Sequence, residues 1–467
     1  VVAGKGNNGG DGHRAAELLA ADGYSVRTVL AGSIGEMSGH AATCLSDARD
    51  AGVDITGISG DDDLATATAV IEGAGVVIDA LFGTGLTGDI RGAAATLVDC
   101  IGSSGAYVVA VDVPSGVNAT DGSVSNPCVN AHETVTFGAL KLGHLIYPGK
   151  GRCGVLTLAD IGFPADIVED HEHAAETLSG QEVVSLMPER DPEAHKGSAG
   201  RLFILAGSAG MTGAASLSAM ASLRTGAGLV KVGCPESLND ILEVKLTEVL
   251  TQPLPEVRKK RCLALRGLGM VRESAQWADV IVVGPGLSTN TETRELVTRF
   301  VTACKKPMVI DADGINAFAG AAGKIADSPA DIVLTPHPGE LARLMGTTID
   351  AISADRFAAV RDAAATTGAT VLLKGAPTLI AAPDGRLFIN RSGNEGMATA
   401  GMGDVLTGVI SGLMAQGLAP LDAAVLGAFI HGVAGDIGSA DMSVYGVIAT
   451  DVCERIPEAI RFILHQG

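Results

Sequence analysis

A glycine-rich segment near the C-terminus carries the residue types of a phosphoryl-transfer site. Residues 394–404 read NEGMATAGMGD, and the apolar residues 405–416 that follow have a helical pattern. Gly401 and Gly403 allow the backbone to turn tightly and to direct N–H groups at an anion. The dipole of the following helix adds partial positive charge there. Asp404, at the junction, is positioned to deprotonate a hydroxyl group beside a phosphoryl group.

A second glycine-rich segment lies at the other end of the chain and affects how the first is interpreted. An Asp that precedes a helix also serves as a simple N-cap, so residues 394–404 alone leave both interpretations open. Residues 4–12 read GKGNNGGDG, follow an apolar run and precede a helical pattern. Their glycines let backbone amides approach a phosphate, and Asn7, Asn8 and Asp11 offer side-chain hydrogen bonds. The two segments together favour ligand binding over a structural turn.

Two aspartates end apolar runs in the first third of the chain. Asp79 precedes LFGTGLTGD at residues 81–89, and Asp112 precedes VPSG. The carboxyl ends of parallel strands share one sheet edge, so we expect these loops to meet there. Oxygen atoms of Asn8, Asp79 and Ser115 suit a hard cation, and Asp112 is placed to exchange a proton with a ligand. The alternative is that both aspartates only cap loops through local hydrogen bonds.

The second half of the chain repeats this arrangement in four motifs that follow apolar runs. They are GSAGMTG at 207–213, GPGL at 284–287, TPHPGE at 335–340 and KGAPT at 374–378. We expect all four at a crevice along the carboxyl ends of parallel strands. His337 lies between two prolines that stiffen its backbone, and the alternative to ligand contact is a structural hydrogen bond. Lys374, after a buried strand, suits a nucleotide phosphate or a loop contact, and the alternative is a loop cation on the surface.

The composition limits the classes of function. The 467-residue chain has a formal net charge of −20 and lacks the basic stripe that a nucleic-acid-binding protein needs. Its mean hydropathy of +0.32 raises the question of a membrane. The most apolar segment, residues 405–438, is interrupted by Asp422, His431 and Asp436. We therefore expect buried helices there, and neither nucleic acid nor a membrane as a partner.

The cysteines and the start of the chain indicate the cellular setting. Eight cysteines form no CxxC pair and no zinc-binding spacing, so reduced thiols in a cytoplasmic protein are expected. No signal peptide is recognisable. The sequence begins within an apolar strand, VVAG, and we expect an N-terminal segment to precede it in the complete protein.

Short β-branched runs alternate with helical stretches along the whole chain. Predicted helices include residues 12–22 and 39–51. Predicted strands lie at 26–31, 76–80, 107–113, 201–206, 280–284, 307–311, 332–335 and 370–374. This alternation predicts an α/β fold with parallel sheets and right-handed crossovers. An acidic, proline-containing stretch near 165–192 predicts a linker between two domains, residues 1–165 and 178–467.

Residues 1–165 resemble the NAD(P)H-hydrate epimerase family through NNGGDG, DALFGTGLTGD and DVPSG. The resemblance implies a Rossmann-like domain that interconverts the two C6 epimers of hydrated NADH or NADPH, with Asp112 catalytic. It implies that K⁺ binds Asn8, Asp79 and Ser115. The residues it assigns to substrate binding are Asn7, Asn8, Gly9, Gly10, Asp11, Gly83, Thr84, Gly85, Leu86, Thr87, Gly88, Asp89 and Asp112.

Residues 178–467 resemble the ribokinase-like fold and, more closely, the ADP-dependent NAD(P)H-hydrate dehydratase family. GSAGMTGAA, TPHPGE, KGAPT and NEGMATAGMGD carry this resemblance. It implies that ADP, with Mg²⁺, phosphorylates the hydrate hydroxyl, and that phosphate then leaves with help from the ring nitrogen. The substrate residues would be Gly286, His337 and Asp404, with Asp404 as catalytic base. The nucleotide residues would be Lys374, Gly375, Ala376, Pro377, Thr378, Asn394, Glu395, Gly396, Met397, Ala398, Thr399, Ala400, Gly401, Met402 and Gly403.

The two resemblances together imply one bifunctional repair enzyme for hydrated NADH and NADPH (NADHX and NADPHX), expected to be a homo-oligomer. One alternative is a ribokinase-like kinase for a small vitamin precursor, which would share GMGD but not NNGGDG or KGAPT. Another is a binding module that acts through a partner. Intact Asp112 and Asp404 argue against a purely non-catalytic role.

Overall fold

The computed structural model describes residues 1–164, 174–178 and 180–465. By contact density the chain divides into two compact units, Val1–Glu172 and His173–Gly467. Part of the predicted linker lies outside the described residues. Glu176 already belongs to the second unit, because its backbone exchanges hydrogen bonds with Leu387 and Ile389 at a sheet edge. A second domain that starts at residue 178, as predicted from the sequence, would lose this pairing.

The first unit contains one seven-stranded sheet in which all neighbouring strands are parallel, in the order β3-β2-β1-β4-β5-β6-β7. Its strands are β1 Val2–Ala3, β2 Arg27–Leu30, β3 Asp54–Gly57, β4 Val76–Ala80, β5 Tyr107–Val111, β6 Glu133–Phe137 and β7 Val155–Ala159. Its helices are Asn7–Ala21, Gly39–Asp50, Asp61–Glu72 and Ala93–Ser103, with short 3₁₀ turns at Ile34–Glu36, Leu142–His144 and Gly149–Arg152.

The strand order places a crevice between β1 and β4. Strands β2 and β3 lie on one side of β1, and β4, the next strand in the chain, lies on the other side of β1. Such a reversal leaves a gap at the carboxyl ends of the two central strands, where open α/β sheets bind ligands. The loops after Ala3 and Ala80 both begin there. This Rossmann-like order therefore brings the two predicted ligand loops to one place.

The second unit contains a nine-stranded sheet in the order β10-β9-β8-β13-β14-β15-β16-β17-β18. Its strands are β8 Arg201–Leu205, β9 Leu229–Pro235, β10 Leu250–Leu254, β13 Val280–Val283, β14 Met308–Ile310, β15 Ile332–Leu334, β16 Thr370–Leu373, β17 Thr378–Ala381 and β18 Leu387–Asn390. Seven neighbouring strands are parallel, and β17 and β18 continue the sheet as antiparallel strands. A separate antiparallel pair joins β11 Glu256–Val257 to β12 Cys262–Leu263.

Helices of the second unit cover this sheet. They are Gly180–Leu186, Thr212–Thr225, Asn239–Lys245, Leu268–Trp277, Thr291–Val301, Asp313–Asn316, Gly323–Ala326, Pro338–Met345, Ile349–Ala354, Arg356–Thr367, Met402–Ala415, Pro420–Met442 and Ala449–Leu464. Short 3₁₀ turns lie at Glu236–Leu238, Leu265–Gly267 and Glu395–Met397. Helix Pro420–Met442 is long and apolar enough to cross a membrane, but 78% of its most apolar window is buried within the fold. Its apolar surface is used in the core, as the sequence predicted.

Helices Thr212–Thr225 and Met402–Ala415 approach each other closely at two glycines. A Cβ at Gly408 would lie 2.4 Å from the carbonyl oxygen of Ser218, and one at Gly412 would lie 2.9 Å from that of Ser222. Both distances are too short for any residue but glycine. This close approach fixes the position of helix Met402–Ala415, which carries Asp404 in its first turn.

The first helix begins earlier than the sequence predicted. Residues 7–11 are its first turn and not a loop, because the helix runs from Asn7 to Ala21. Glycine has low helix propensity, but here contacts outweigh it. A Cβ at Gly9 would lie 1.8 Å from the carbonyl oxygen of Gly4, and one at Gly12 would lie 2.5 Å from the Cβ of Ala80. The glycines serve close packing of the helix against the sheet as well as access for a ligand.

Two candidate active sites

In the first unit, Asp79 and Ser115 form a buried network at the end of β4. The hydroxyl of Ser115 donates to Asp79 Oδ1 at 2.6 Å, and its backbone N–H donates to Oδ2 at 2.8 Å. The N–H of Leu81 also donates to Asp79, and that of Phe82 donates to Ser115 Oγ at 3.0 Å. Burial raises the pKa of Asp79 to about 6, although the Ser115 bonds lower it. Loop capping and a cation site are therefore both compatible with Asp79.

Asn8, Gly83 and Asp112 come together although they are distant in sequence. A Cβ at Gly83 would lie 3.2 Å from Asn8 Oδ1 and 3.2 Å from Asp112 Oδ2. Gly83 thus leaves open a space bordered by an amide and a carboxylate. The amide Nδ2 of Asn8 is buried and has no hydrogen-bond partner among the described residues, so a ligand oxygen would satisfy it. The structure brings together the three loops that the sequence predicted to meet.

Lys141 is the charged partner of Asp112, and it was not predicted from the sequence. Its ammonium group lies 2.5 Å from Asp112 Oδ1 and 2.7 Å from Thr136 Oγ1. The hydroxyl of Thr136 donates to the same Asp112 oxygen at 3.0 Å. Asp112 and Lys141 are only 14% and 20% exposed. Because Oδ1 is bound on this side, Oδ2 is the oxygen that faces Gly83 and the open space.

The backbone of Asp112 adopts a conformation that only glycine reaches easily. Its φ is +66°, and such strain persists where surrounding contacts impose it. The N–H of Asp112 donates to Val135, and His144 Nε2 donates to the Asp112 carbonyl oxygen at 2.9 Å. Burial lowers the pKa of His144 to about 4, so the ring is neutral at neutral pH. The neutral ring holds Asp112 in place without adding a charge.

The remaining predicted residues of this site lie around its rim. Asp11 is accessible at the surface, but partial desolvation by its neighbours and, after it, the charge of Asp112 raise its pKa. Asn7 is exposed, whereas Gly9 and Gly10 are buried in helix packing. In the loop after β4, Leu86 is half-buried against the core, and the exposed residues are Thr84, Gly85, Thr87, Gly88 and Asp89.

In the second unit, a lysine links acidic residues from neighbouring strand ends. Lys374 follows β16 and lies 2.9 Å from Asp311 Oδ1, which follows β14. Thr335, after β15, donates its hydroxyl to the same oxygen at 2.8 Å. Glu340 lies 3.7 Å from the lysine. Burial lowers the pKa of Lys374, but Asp311 and Glu340 outweigh it and raise the pKa above its usual value.

Asp404 adds another carboxylate close to this cluster. Burial, with repulsion from Asp311 and a smaller contribution from Glu340, raises the pKa of Asp404 to about 7, and Lys374 limits the rise. A carboxyl group with this pKa is divided between its acid and base forms at neutral pH. That is the range in which a general base works best. Asp311 and Glu340 were not predicted as site residues, although Asp311 ends a predicted strand.

The helix that carries Asp404 presents free backbone donors at the same position. It begins at Met402, after Gly401 with a φ of +91°, and not after Asp404 as predicted. In the first hydrogen bond of this helix, the N–H of Val405 donates to the carbonyl oxygen of Gly401, the N-cap residue. The amides of residues 402–404 are consequently free for an anion. A Cβ at Gly403 would lie 3.2 Å from Lys374 Nζ, so donors and cation converge.

His337 has a structural role that its sequence position did not settle. Its Nδ1 accepts hydrogen bonds from the N–H groups of Gly339 and Glu340 at 3.0 and 3.3 Å, which caps helix Pro338–Met345. Its side chain is 50% exposed, and Nε2 lies 3.4 Å from Glu340. Nδ1 of His337 therefore makes the structural hydrogen bonds that were the alternative to ligand contact. Contact of the other nitrogen with a ligand stays a prediction.

The other predicted residues of the second unit divide into accessible and internally bonded groups. Gly286 has a φ of +62° and packs against Met211, while its carbonyl oxygen accepts from Ser208. Asn394 bonds to Gly396, Asp436 and Ser439, which leaves mainly its backbone for a ligand. Gly396 and Pro377 are buried, and Met397 packs in the core. Thr378 is half-buried, and the exposed residues are Gly375, Ala376, Glu395, Ala398, Thr399 and Ala400.

These features define a two-part α/β enzyme class: a Rossmann-like unit with a strand-end aspartate, and a ribokinase-like unit with an anion site at a helix start. The family model for the YjeF-related protein N-terminus matches residues 1–143, and the NAD(P)H-hydrate dehydratase model matches residues 202–458. A crystal structure of the ADP/ATP-dependent NAD(P)H-hydrate dehydratase from Bacillus subtilis, co-crystallised with ATP and Mg²⁺, is 27% identical. It covers 62% of this chain and 99% of its own, with a TM-score of 0.53.

Full-length relatives extend the similarity across both units. The bifunctional NAD(P)H-hydrate repair enzyme Nnr of Moorella thermoacetica is 40% identical over 461 residues, which is 99% of this chain and 87% of that protein. The enzyme of the same name from Escherichia coli is 35% identical over 98% of this chain and 84% of its own. The chain belongs to the family of bifunctional NAD(P)H-hydrate repair enzymes.

Proposed function

We propose that the two sites catalyse consecutive steps in the repair of hydrated NADH and NADPH. The first unit epimerises the hydrate, and the second dehydrates the S epimer with ADP as phosphoryl donor. The observation that carries the proposal is the pairing of Asp404, with its pKa of about 7, with free helix amides and Lys374. This is an arrangement for moving a phosphoryl group onto a hydroxyl.

In the second unit, Asp404 takes the proton of the hydrate hydroxyl while the hydroxyl oxygen attacks the terminal phosphorus of ADP. The amides of residues 402–404 and Lys374 stabilise the negative charge on the transferred group. AMP leaves, and the hydrate now carries phosphate in place of the poor leaving group hydroxide. The ring nitrogen lone pair then expels phosphate, and loss of a proton from the adjacent carbon restores the double bond.

In the first unit, Asp112 exchanges a proton with the substrate through Oδ2. Inversion at C6 requires one of its bonds to open and to close again from the other face, and a proton must leave and return. Lys141 and Thr136 hold the opposite oxygen, Oδ1, so that the carboxylate has one orientation. The amide of Asn8 borders the same space and is the candidate donor to a substrate oxygen.

The described residues are compatible with K⁺ in the first unit. Asp79 is a fully buried carboxylate without a cationic side chain within ion-pair distance among the described residues. Asp79 accepts a hydrogen bond from Ser115, and Asn8 lies beside Gly83 of the loop that follows Asp79. A cation held by these oxygens would neutralise the buried charge and could contact a substrate phosphate or hydroxyl.

Mg²⁺ fits the second unit only together with nucleotide. Among the described residues, no cluster of three or more His, Cys, Asp or Glu side chains is arranged to hold a metal. Mg²⁺ commonly binds through one or two carboxylates plus substrate phosphates. Besides Asp404, the carboxylates beside Lys374 are Asp311 and Glu340, and they would share the ion with the phosphates of ADP.

The proposal is tested by adding the intact chain to an equilibrated mixture of R and S hydrated NADH, with and without ADP. We expect the NADH absorbance to return fully and only when ADP is present. Recovery of only the S fraction would contradict the epimerase half. A vitamin-precursor kinase would produce no NADH, and a binding module would bind hydrate without turnover. The rate of NADH formation with ATP in place of ADP shows which nucleotide the protein prefers.

Two further expectations accompany this function. We expect a cytoplasmic location, where the cofactor is damaged, which fits eight cysteines that are all free thiols in the structure. We expect a homo-oligomer, which light scattering of the purified chain would test. A monomeric mass at micromolar concentration would contradict the second expectation.

A further inference from the structure

Arg356 is a positively charged residue without a matching negative charge. It is the first residue of helix Arg356–Thr367 and is half-buried. Its Nη2 donates to the carbonyl oxygen of Pro377 at 2.7 Å. Within the part of the chain that the structure describes, no carboxylate lies within ion-pair distance of it. Its Nε is buried without any hydrogen-bond partner.

Such a placement is unfavourable for the protein alone. A buried charge without a counterion, and a buried donor without an acceptor, each reduce stability. Burial lowers the pKa of Arg356, with no opposite charge to offset it. The residue also lies at the positive end of its helix dipole, where a cation is disfavoured and an anion is favoured. An anionic ligand beside the guanidinium group would supply the missing negative charge.

The guanidinium group lies directly against the loop that follows β16. A Cβ at Gly375 would be 2.5 Å from Arg356 Nη2 and 3.1 Å from its Cζ. Gly375 is exposed and has a φ of +151°. Nη1 makes no hydrogen bond among the described residues and is not sealed from solvent, because it is absent from the buried unpaired atoms. A group bound over Gly375 therefore meets a free guanidinium N–H.

We propose that Arg356 is a nucleotide-binding residue whose guanidinium N–H groups donate to the phosphates of ADP bound over residues 374–378. The inference rests on the proposed function, and it names a residue outside the KGAPT and GMGD motifs. In this arrangement Lys374 and the amides of residues 402–404 bind the transferred phosphoryl group. Arg356 binds the phosphate that remains with the nucleoside, so the site selects a nucleotide over a nucleoside.

The competing explanation is that Arg356 only supports the loop through Pro377. Calorimetric titration of the intact chain with ADP and with adenosine separates the two. For Arg356→Gln we expect ADP to bind at least about 10-fold more weakly, from the loss of charge-assisted hydrogen bonds, while adenosine affinity stays within about 2-fold. The matched control is Arg386→Gln, which removes an exposed arginine paired with Asp384 and should leave both affinities unchanged.

Equal weakening of ADP and adenosine by Arg356→Gln would overturn the proposal in favour of loop support, and so would unchanged ADP affinity. If that variant does not fold, Arg356→Lys decides the question, because lysine keeps the charge but lacks the planar fork. It should weaken ADP by a smaller factor and spare adenosine, and equal effects on both would again overturn the proposal. Failure of the unmodified chain to bind ADP would instead contradict the proposed function.

Discussion

The two candidate catalytic aspartates are held in opposite ways. Asp112 is paired directly with Lys141 at 2.5 Å, in a strained backbone that neighbouring groups lock in place. Asp404 lies on a regular helix and is surrounded by like charges, with Lys374 shared among Asp311, Glu340 and Asp404. One carboxylate is held in place by a single cationic neighbour. The other is held close to the balance between its two protonation states.

The difference matches the chemistry proposed for each unit. Epimerisation consumes no net proton, so Asp112 needs a fixed orientation more than a tuned affinity for protons. Phosphoryl transfer needs a base that accepts a proton from an alcohol, and burial beside like charges raises the proton affinity of Asp404. Strand-end and helix-start positions thus place the two proposed acid–base groups in different environments.

The largest expected effect is the loss of dehydration in Asp404→Asn. The amide keeps the shape of the side chain but cannot accept the hydroxyl proton, so we expect ADP-dependent NADH formation to fall by roughly 10²-fold or more. Interconversion of the R and S hydrates by the same preparation should be unchanged and serves as the internal control. Turnover near that of the unmodified chain would remove Asp404 from the role of base.

Asp112→Asn is the reciprocal change, with an expected loss of about 10²-fold in epimerisation. Dehydration of purified S hydrate should continue, because no residue of the second unit changes. The measurement is the rate at which the R hydrate disappears in a coupled assay with excess dehydratase activity. Disappearance of R hydrate at the unmodified rate would make Asp112 a structural residue only.

The pH dependence of dehydration should follow the raised pKa of Asp404. Asp404 acts as a base only when ionised, and its pKa is raised to about 7. Below pH 7, kcat/KM for dehydration should therefore rise about tenfold for each unit of pH, and above pH 7 it should level off. We expect this limb to disappear in Asp404→Asn. A flat profile for the unmodified chain between about pH 5.5 and 8 would contradict the assignment.

The smallest expected effect concerns independence of the units. A fragment of residues 174–467 should fold and dehydrate the S hydrate at nearly the full rate. A fragment of residues 178–467 lacks the two backbone hydrogen bonds of Glu176 at the β18 edge, which should lower its free energy of unfolding by about 1–3 kcal/mol. Denaturant titration compares them. Insolubility of both fragments would show that the units do not fold separately.

The sequence predicted the strand ends well but misplaced the starts of the two helices that carry the glycine-rich motifs. Apolar β-branched runs end where parallel strands end, so Asp79 and Asp112 were found by one simple rule. Glycine-rich residues 7–11 and 402–404 were read as loops, because intrinsic propensity disfavours glycine in helices. Close packing against the sheet or a neighbouring helix reverses that preference, and such packing is not visible in the local sequence.

The missed residues differ in whether any signal was available. Asp311 ends a predicted strand, so the rule that identified Asp79 and Asp112 could have identified it too. Lys141 follows no strand end directly and reaches Asp112 across 29 residues of chain. Arg356 starts a helix with no glycine motif beside it. Only the three-dimensional arrangement shows that Lys141 lies beside Asp112 and Arg356 beside Gly375.

The glycine contacts between helices Thr212–Thr225 and Met402–Ala415 have a mechanical consequence. At Gly408, backbone meets backbone with no flexible side chain between them. Helix Met402–Ala415 is therefore held rigidly at Gly408, one to two turns from its first residue. A sideways shift of the helix at Gly408 would also displace Asp404. A single added methyl group there would move the base out of alignment without touching any bound molecule. Catalytic precision in this unit is thus set partly by residues that never meet the substrate.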